Sequence, residues 1–194
     1  MKLSNKILLG FFSFLFLYLT AAFTEIRFTG TLNIINADNS KAEIVDLSGI
    51  HYIDVNNVST NVTITQSDRS QLEVRSISGD LLKNLKYEIS GDTLKLLSFT
   101  SGDAQAHRVT VFVQRERLKG LHIKSSTISI SGLEQAQLQL TQVDGRIWIS
   151  DSKFSAVEMN LTEGAFIHVS ETNMDTLSAT VTGKSEAHLN SLVG

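Results

Sequence analysis

The C-terminal part of the chain alternates apolar and polar residues in short runs that recur along the sequence. Four runs have an apolar residue at the first and third positions: Ile128-Ser129-Ile130, Ile147-Trp148-Ile149, Ile167-His168-Val169 and Ala187-His188-Leu189. Alternation with a period of two is typical of a β-strand with one buried face. From Ile147 to Ile167 to Ala187 the step is 20 residues each time. This spacing predicts that residues 121–194 form stacked units of strand.

A second set of alternating runs opens each unit. These runs are Leu121-His122-Ile123, Leu138-Gln139-Leu140, Val157-Glu158-Met159 and Leu177-Ser178-Ala179. A fixed period in this range is the signature of a solenoid, in which each unit buries its apolar face only by stacking on the next unit. The pattern therefore predicts an all-β solenoid with coils of ~19–20 residues.

Stacking would place equivalent residues one above another, at the ~4.8 Å spacing of hydrogen-bonded strands. Ile147, Ile167 and Ala187 are then expected to line the interior. The middle residue of each run is expected to face outward. These residues would form an outer column that consists of Ser129, Trp148, His168 and His188.

A leucine-rich repeat is the nearest competing architecture. The spacing of Leu118, Leu121 and Ile123 matches the opening of such a repeat. However, Ser126 stands where that repeat requires asparagine, and the return segment has the pattern of a strand rather than a helix. The solenoid is therefore the favoured prediction.

An uncharged apolar run near the N-terminus predicts export from the cytoplasm. Lys2 and Lys6 precede the run from Ile7 to Phe23. As a helix this run would be about 26 Å long, slightly less than the ~30 Å hydrocarbon core of a membrane. Flanking lysines place the N-terminus in the cytoplasm and the rest of the chain across the membrane.

Two export hypotheses remain open. A retained signal anchor is favoured by the length of the apolar run. A cleaved signal peptide would instead use the small residues Thr20, Ala21 and Ala22 before the cut. The predicted organisation is a signal anchor or signal peptide over 1–27, a spacer over 28–43 and the β-solenoid domain over 44–194.

Composition limits the classes of partner and site. The chain has no cysteine, which excludes disulfides, thiolate metal sites and a cysteine nucleophile. Its net charge is −3, and its acidic and basic residues are interspersed without a basic stripe. Nucleic acid is therefore not a predicted partner. A hydrophobic content of 42% is sufficient for a continuous core.

The outer column contains the candidate ligand-facing residues Trp148, His168 and His188. Two imidazoles on adjacent coils can share a metal ion, but structural zinc requires four ligands and the sequence indicates no others. We therefore predict no metal and no cofactor. Trp148 is the only tryptophan, and it is suited to stacking on a sugar ring or anchoring a partner. The alternative is an aromatic side chain that only shields a turn.

Four acidic residues flank the runs Ile147-Trp148-Ile149 and Ile167-His168-Val169 and raise the question of catalysis. They are Asp144, Asp151, Glu163 and Glu171. A lyase or hydrolase would need carboxylates that converge on one groove, together with acid or base partners. No histidine or arginine occupies the same columns, and acidic residues are common in turns. We predict no catalytic residues and a protein that is not an enzyme.

Several segments resemble a known family. They are Asn61-Val62-Thr63-Ile64-Thr65-Gln66, Leu72-Glu73-Val74, Ser90-Gly91-Asp92-Thr93-Leu94-Lys95-Leu96, Val109-Thr110-Val111-Phe112-Val113 and Leu118-Lys119-Gly120-Leu121-His122-Ile123. Together with the apolar N-terminal segment and the repeats, the chain from about residue 44 to 190 resembles the head GIN domain of putative auto-transporter adhesins. This is a domain of unknown function in envelope proteins of Bacteroidetes-type bacteria. The repeats here contain less glycine than many members have.

The resemblance implies a right-handed parallel β-helix-like solenoid, preceded by the N-terminal apolar helix and displayed on the cell envelope. It also implies an adhesive or binding role. The predicted function is a membrane-anchored or exported cell-envelope binding or adhesion module with no catalytic activity. The alternatives are a carbohydrate-active β-helix enzyme, either a lyase or a hydrolase, and a purely structural envelope protein.

The predicted partners follow from the same features. The apolar N-terminal helix would bind the membrane, and a polar column of Gln139, Glu158 and Ser178 would bind a glycan or an envelope protein. The last coil has no evident cap, and an uncovered strand edge favours pairing with a second copy, so an end-to-end homodimer is expected. The predicted location is the cell envelope. The chain would be a single-pass membrane protein with its C-terminal domain outside the cytoplasm, or a secreted protein if the leader is cleaved.

Overall fold

The structure is a computed structural model that describes Phe16, Tyr18 and residues 41–76, 85–99 and 107–190. These residues contain fifteen β-strands. In chain order the strands are β1 (Lys41–Asp46), β2 (Tyr52–Asn56), β3 (Val62–Gln66), β4 (Gln71–Ser76), β5 (Leu85–Ser90), β6 (Thr93–Phe99), β7 (His107–Val113), β8 (Gly120–Lys124), β9 (Thr127–Ser131), β10 (Glu134–Val143), β11 (Arg146–Ser150), β12 (Lys153–Thr162), β13 (Phe166–Ser170), β14 (Asn173–Val181) and β15 (Glu186–Leu189).

The strands form two sheets. An 8-stranded sheet has the order β1-β4-β7-β3-β9-β11-β13-β15, and a 7-stranded sheet has the order β14-β12-β10-β8-β2-β6-β5. Along most strands every second side chain is buried, as in the pattern of β9 and β11. The buried side chains of both sheets belong to one hydrophobic cluster. Alternation in the sequence therefore decides which residues enter the core and which face outward.

The repeated C-terminal units contribute one strand to each sheet. Ile147 pairs in parallel with Ile128 on one side and with Ile167 on the other, and Ile167 pairs with Ala187. The register predicted from the 20-residue step is therefore confirmed. Ile147 and Ile167 are fully buried, whereas Ala187 is exposed because β15 is the last strand of its sheet.

The predicted fold class, a parallel β-helix-like solenoid, is wrong. A solenoid adds each unit at one growing end, but here β2 lies between β6 and β8, and β3 lies between β7 and β9. In addition, β1–β4, β4–β7 and β5–β6 are antiparallel pairs. The domain therefore consists of two mixed sheets and is not a parallel β-helix-like solenoid. Alternation of apolar and polar residues along a strand contains no information about which strand is its neighbour.

The predicted N-terminal apolar helix is not supported. The membrane segment from Ile7 to Phe23 lies outside the described residues except for Phe16 and Tyr18. Within the described part of the chain, no helix has the length and apolar character needed to cross a membrane. The chain divides into two compact units, Met1–Asn39 and Ser40–Gly194. The predicted boundaries at 27 and 43 stay predictions.

Buried hydroxyl groups satisfy the backbone at the corners between strands. Ser152 Oγ accepts a hydrogen bond from Leu133 N at 3.2 Å and donates one to Ser150 O at 2.8 Å. Thr172 occupies the equivalent corner between β13 and β14, whereas Ser126 lies at the opposite corner, between β8 and β9. Each of these two hydroxyls also donates to the carbonyl two residues earlier. The residue before each hydroxyl has a positive φ. Since an unpaired buried backbone group is costly, these hydroxyls allow the chain to turn without leaving the core.

Substitution of Gly145 or Gly164 by alanine tests how tightly neighbouring corners are packed. Their φ values are 86° and 87°, so alanine at either position costs about 1 kcal/mol of backbone strain. A Cβ at Gly145 would overlap the backbone of Ser126, whereas nothing lies within 4 Å of a Cβ at Gly164. Chemical denaturation should show that Gly145→Ala lowers the free energy of unfolding by a further ~1–3 kcal/mol relative to Gly164→Ala. Equal losses would show that the two corners are not packed as described.

Candidate binding faces

The outer column predicted from the repeat is a continuous row on the 8-stranded sheet. Trp148 pairs with Ser129 on one side and with His168 on the other, and His168 pairs with His188. Each of these residues alternates with buried neighbours along its strand, apart from those of β15, which are exposed. Adjacent strands lie about 4.8 Å apart, so the side chains of the row are direct neighbours.

Trp148 is partly covered within this row. It is 37% exposed, and its neighbours Ser129 and His168 are half-buried. The side chain of His188 is 52% exposed because β15 has a neighbour on one side only among the described strands. The indole is therefore partly covered while it still presents surface to solvent.

Phe166 lies beside this row, two residues before His168 on β13, and was missed by the sequence analysis. Its ring centroid lies 5.2 Å from that of His188, with an angle of 43° between the rings. In the register of the sheet, Phe166 lies between Arg146 and Glu186. Four neighbouring side chains therefore carry rings and form what we call the aromatic patch, namely Trp148, Phe166, His168 and His188. The signal was present in the sequence, since Phe166 stands two residues before His168 and shares its outward phase.

Polar groups border the aromatic patch. His188 Nε2 lies 3.4 Å from a carboxylate oxygen of Glu186, which orients the imidazole. At the other end of the row, Asn61 Nδ2 donates a hydrogen bond to Ser129 Oγ at 3.1 Å. The row therefore continues onto the segment that leads into β3. An aromatic surface with polar groups at both ends is suited to bind a ligand that is itself partly polar.

The described residues do not bring the four acidic turn residues together. Asp144 and Glu163 have φ values of 60° and 57° at one corner, and Asp151 and Glu171 have values of 49° and 47° at the other. The strand β11 separates Asp144 from Asp151 and spans about 17 Å. Among the described residues, no group of three or more histidine, cysteine, aspartate or glutamate side chains is placed to hold a metal ion.

The outer face of the 7-stranded sheet carries the predicted polar column. Gln139 pairs with Glu158, and Glu158 pairs with Ser178. Gln139 Nε2 donates a hydrogen bond to Glu158 Oε2 at 3.3 Å. All three side chains are exposed. The domain therefore presents an aromatic face on one sheet and a hydrogen-bonding face on the other.

Comparison with known families gives a match over most of the chain. The family model described as "Putative auto-transporter adhesin, head GIN domain" matches residues 51–194. This match confirms the family resemblance recognised in the sequence. No curated protein matches the chain.

Several solved structures are similar to the chain at low sequence identity. A putative adhesin from Bacteroides fragilis is 12% identical, with 79% of this chain and 97% of that chain covered and a TM-score of 0.43. A putative adhesin from Parabacteroides distasonis is 14% identical, with coverages of 76% and 80% and a TM-score of 0.41. A putative lipid binding protein from the same species is 12% identical, with coverages of 80% and 97% and a TM-score of 0.32.

The single tryptophan allows the geometry of the outer column to be tested directly. Because His168 lies beside Trp148 in the sheet, His168→Ala should expose more of the indole. We expect the Stern–Volmer constant for acrylamide quenching to rise by up to about twofold, because the indole loses one of the side chains beside it and acrylamide reaches it more easily. His122→Ala, on the outer face of the other sheet, is the matched control and should leave quenching unchanged. An unchanged constant in His168→Ala would contradict the row.

Proposed function

Because the chain belongs to the family described as "Putative auto-transporter adhesin, head GIN domain", we propose that it is a cell-envelope binding module that attaches to its partner through the aromatic patch and has no catalytic activity. Family membership makes it an adhesion-type module of the envelope or cell surface. The observation that carries the rest of the proposal is the patch itself, in which Trp148, Phe166, His168 and His188 lie on three adjacent strands.

Rigidity is the first property that suits the patch to binding. Trp148 lies in the middle of β11 between Ile147 and Ile149, which are both fully buried. The backbone position of the indole is therefore fixed by the core. A side chain that is already held in place loses little conformational entropy on binding, so more of its contact energy contributes to affinity.

The chemistry of the patch favours a partner with both apolar and polar groups. Tryptophan and phenylalanine provide large apolar surfaces, and the imidazoles and Arg146 provide hydrogen-bond donors beside them. A glycan and an envelope protein surface both have this composition. The column of Gln139, Glu158 and Ser178 on the opposite face provides further donors and acceptors in register. The separation of the turn acids supports the non-catalytic part of the proposal.

Export to the envelope completes the proposal. Lys2 and Lys6 followed by the uncharged run from Ile7 to Phe23 support either a retained signal anchor or a cleaved signal peptide. A retained anchor gives a single-pass membrane protein with its C-terminal domain outside the cytoplasm, and cleavage gives a secreted protein. Mass spectrometry of the mature N-terminus distinguishes the two.

The binding role is tested with the full chain on a glycan array and on immobilised envelope proteins from a bacterium that encodes the protein. The combined variant Trp148→Ala and Phe166→Ala should weaken binding at least ~30-fold, as expected for the loss of buried aromatic anchors. The matched control combines Ser155→Ala with Asn160→Ala, two exposed residues of β12 in the other sheet. Equal binding by both variants would contradict the role of the patch. Cleavage of an array glycan would contradict the non-catalytic role and favour a lyase or hydrolase.

A second copy of the chain is the proposed partner at the end of the sheets. In the described structure β15 forms one edge of the 8-stranded sheet and β14 forms one edge of the 7-stranded sheet. Val181 and Leu189 are 42% and 39% exposed at these edges. An unpaired edge with apolar side chains favours strand pairing with another chain. Light scattering should show a dimer for the full chain and a monomer for Val181→Lys combined with Leu189→Lys. A monomer before substitution would contradict this assembly.

A further inference from the structure

The outer face of the 7-stranded sheet contains a groove that is built differently from the aromatic patch. Its volume is about 330 Å³. Tyr52 forms its floor, and the strands β2, β6, β8 and β10 contribute the residues around it. The polar and small lining residues are Asp54, Thr93, Gly120, His122, Gln139 and Thr141.

Tyr52 lies flat on the sheet because its neighbour is a glycine. Gly120 pairs with Tyr52 on one side and with Gln139 on the other. A Cβ at Gly120 would lie 2.6 Å from Cδ1 and 2.9 Å from Cε1 of Tyr52, so the ring occupies the space that a side chain would fill. Gly120 is buried beneath it, while Tyr52 is 38% exposed. The phenol ring therefore covers the backbone at Gly120 and also lines the groove.

Hydrogen-bonding groups surround this ring. His122 Nδ1 lies 3.2 Å from Asp54 Oδ1, which fixes the orientation of both side chains. Their side chains are 49% and 30% exposed, so the remaining polar atoms are accessible. The amide of Gln139 stands on the far side of Gly120 and is itself oriented by Glu158. Donors and acceptors are thus fixed on two sides of an exposed aromatic face.

We propose that this groove, named here the Tyr52 groove, is a saccharide-binding subsite that takes one neutral pyranose unit. A pyranose ring has a flat face of C–H groups that packs on an aromatic ring, and its equatorial hydroxyl groups point outward in the plane. Those hydroxyls would reach the carboxylate of Asp54, the imidazole of His122 and the amide of Gln139. The volume lies at the lower end of the ~300–1,000 Å³ range of ligand sites, which fits a single sugar unit.

The charges around the groove favour a neutral sugar over an acidic one. Lys95 is the cross-strand neighbour of Asp54, so their charges offset each other. Glu158 is hydrogen-bonded to Gln139 and adds negative charge beyond it. The groove therefore has no excess positive charge to attract the carboxylate of a uronic acid.

This inference deepens the proposed binding function and rests on it for its biological setting, since it names a ligand class and a second binding face. An aromatic ring that covers a glycine also stabilises a strand. That structural role would account for the position of Tyr52. It would not place Asp54, His122 and Gln139 around the exposed side of the ring, and the variants below separate the two roles.

Saturation-transfer difference NMR on the full chain tests the groove. The probes are methyl β-D-glucoside, methyl β-D-galactoside and methyl α-D-mannoside, with methyl β-D-glucuronide as the acidic comparison. We expect transfer to the ring C–H protons of at least one neutral glycoside, and at least about fivefold less transfer to the glucuronide because the groove lacks excess positive charge.

Two variants remove the aromatic face in different ways. Tyr52→Ala deletes it, whereas Gly120→Ala keeps the tyrosine but displaces the ring from its seat. Gly120 is not among the positive-φ glycines, so alanine imposes no left-handed strain there. Both variants should reduce transfer at least about fivefold, as expected when an aromatic contact is lost. Tyr52→Phe keeps the aromatic face, and Ser155→Ala changes an exposed residue of β12 outside the groove, so both should retain transfer. Trp148→Ala is measured alongside them to report on the aromatic patch, and circular dichroism confirms that each variant is folded.

The results also separate this inference from the proposed function. No transfer from any of the three neutral glycosides, or transfer in Tyr52→Ala and Gly120→Ala as strong as in the unsubstituted chain, would overturn the saccharide subsite. Loss of transfer only in Trp148→Ala would place the sugar on the aromatic patch, which keeps the proposed function and rejects the Tyr52 groove. Loss of transfer in Tyr52→Ala, with envelope binding unaffected by substitutions in the patch, would support the groove and reject the patch.

Discussion

In-register pairing of parallel strands is the constraint on which the binding faces depend. Each strand of the repeats places an apolar residue opposite an apolar residue, as Ile147 does with Ile128 and Ile167. A shift of one residue would move every apolar side chain to the solvent face. The same register that fills the core therefore aligns Trp148 and His168 outside it, and the aromatic patch is a consequence of how the core is built.

The corners show how this register is maintained between strands. A positive-φ residue followed by a buried hydroxyl recurs at the corners that lead into β12 and β14, Asp151-Ser152 and Glu171-Thr172, and occurs once at the opposite corner, Ser125-Ser126. Because the hydroxyl satisfies backbone groups of the same turn, each corner closes at the same point and the next strand starts in phase. Turn geometry and solvent exposure account for the acidic residues Asp151 and Glu171 at these positions.

The sequence predicted well which side chains of the repeats are buried and which face outward, but it predicted poorly which strands are neighbours in the sheets. Alternation of apolar residues correctly placed Ile167 inside and His168 outside, because burial acts on each strand separately. It did not predict that β2 lies beside both β6 and β8, since no repeat connects these segments. The contact between Tyr52 and Gly120 has the same origin. These residues are 68 positions apart, and neither carries a pattern that identifies its partner. Long-range pairing is decided by the packing of the whole core, which a local pattern does not encode.

The register is tested most directly by distances between spin labels, for which the absence of native cysteine is an advantage. Thr141 and Asn160 are exposed and paired across β10 and β12. With cysteine introduced at both positions and labelled, continuous-wave electron paramagnetic resonance should show strong dipolar broadening, because the backbones lie about 4.8 Å apart. A spectrum equal to the sum of the two singly labelled variants would contradict the register and, with it, the alignment of both binding faces.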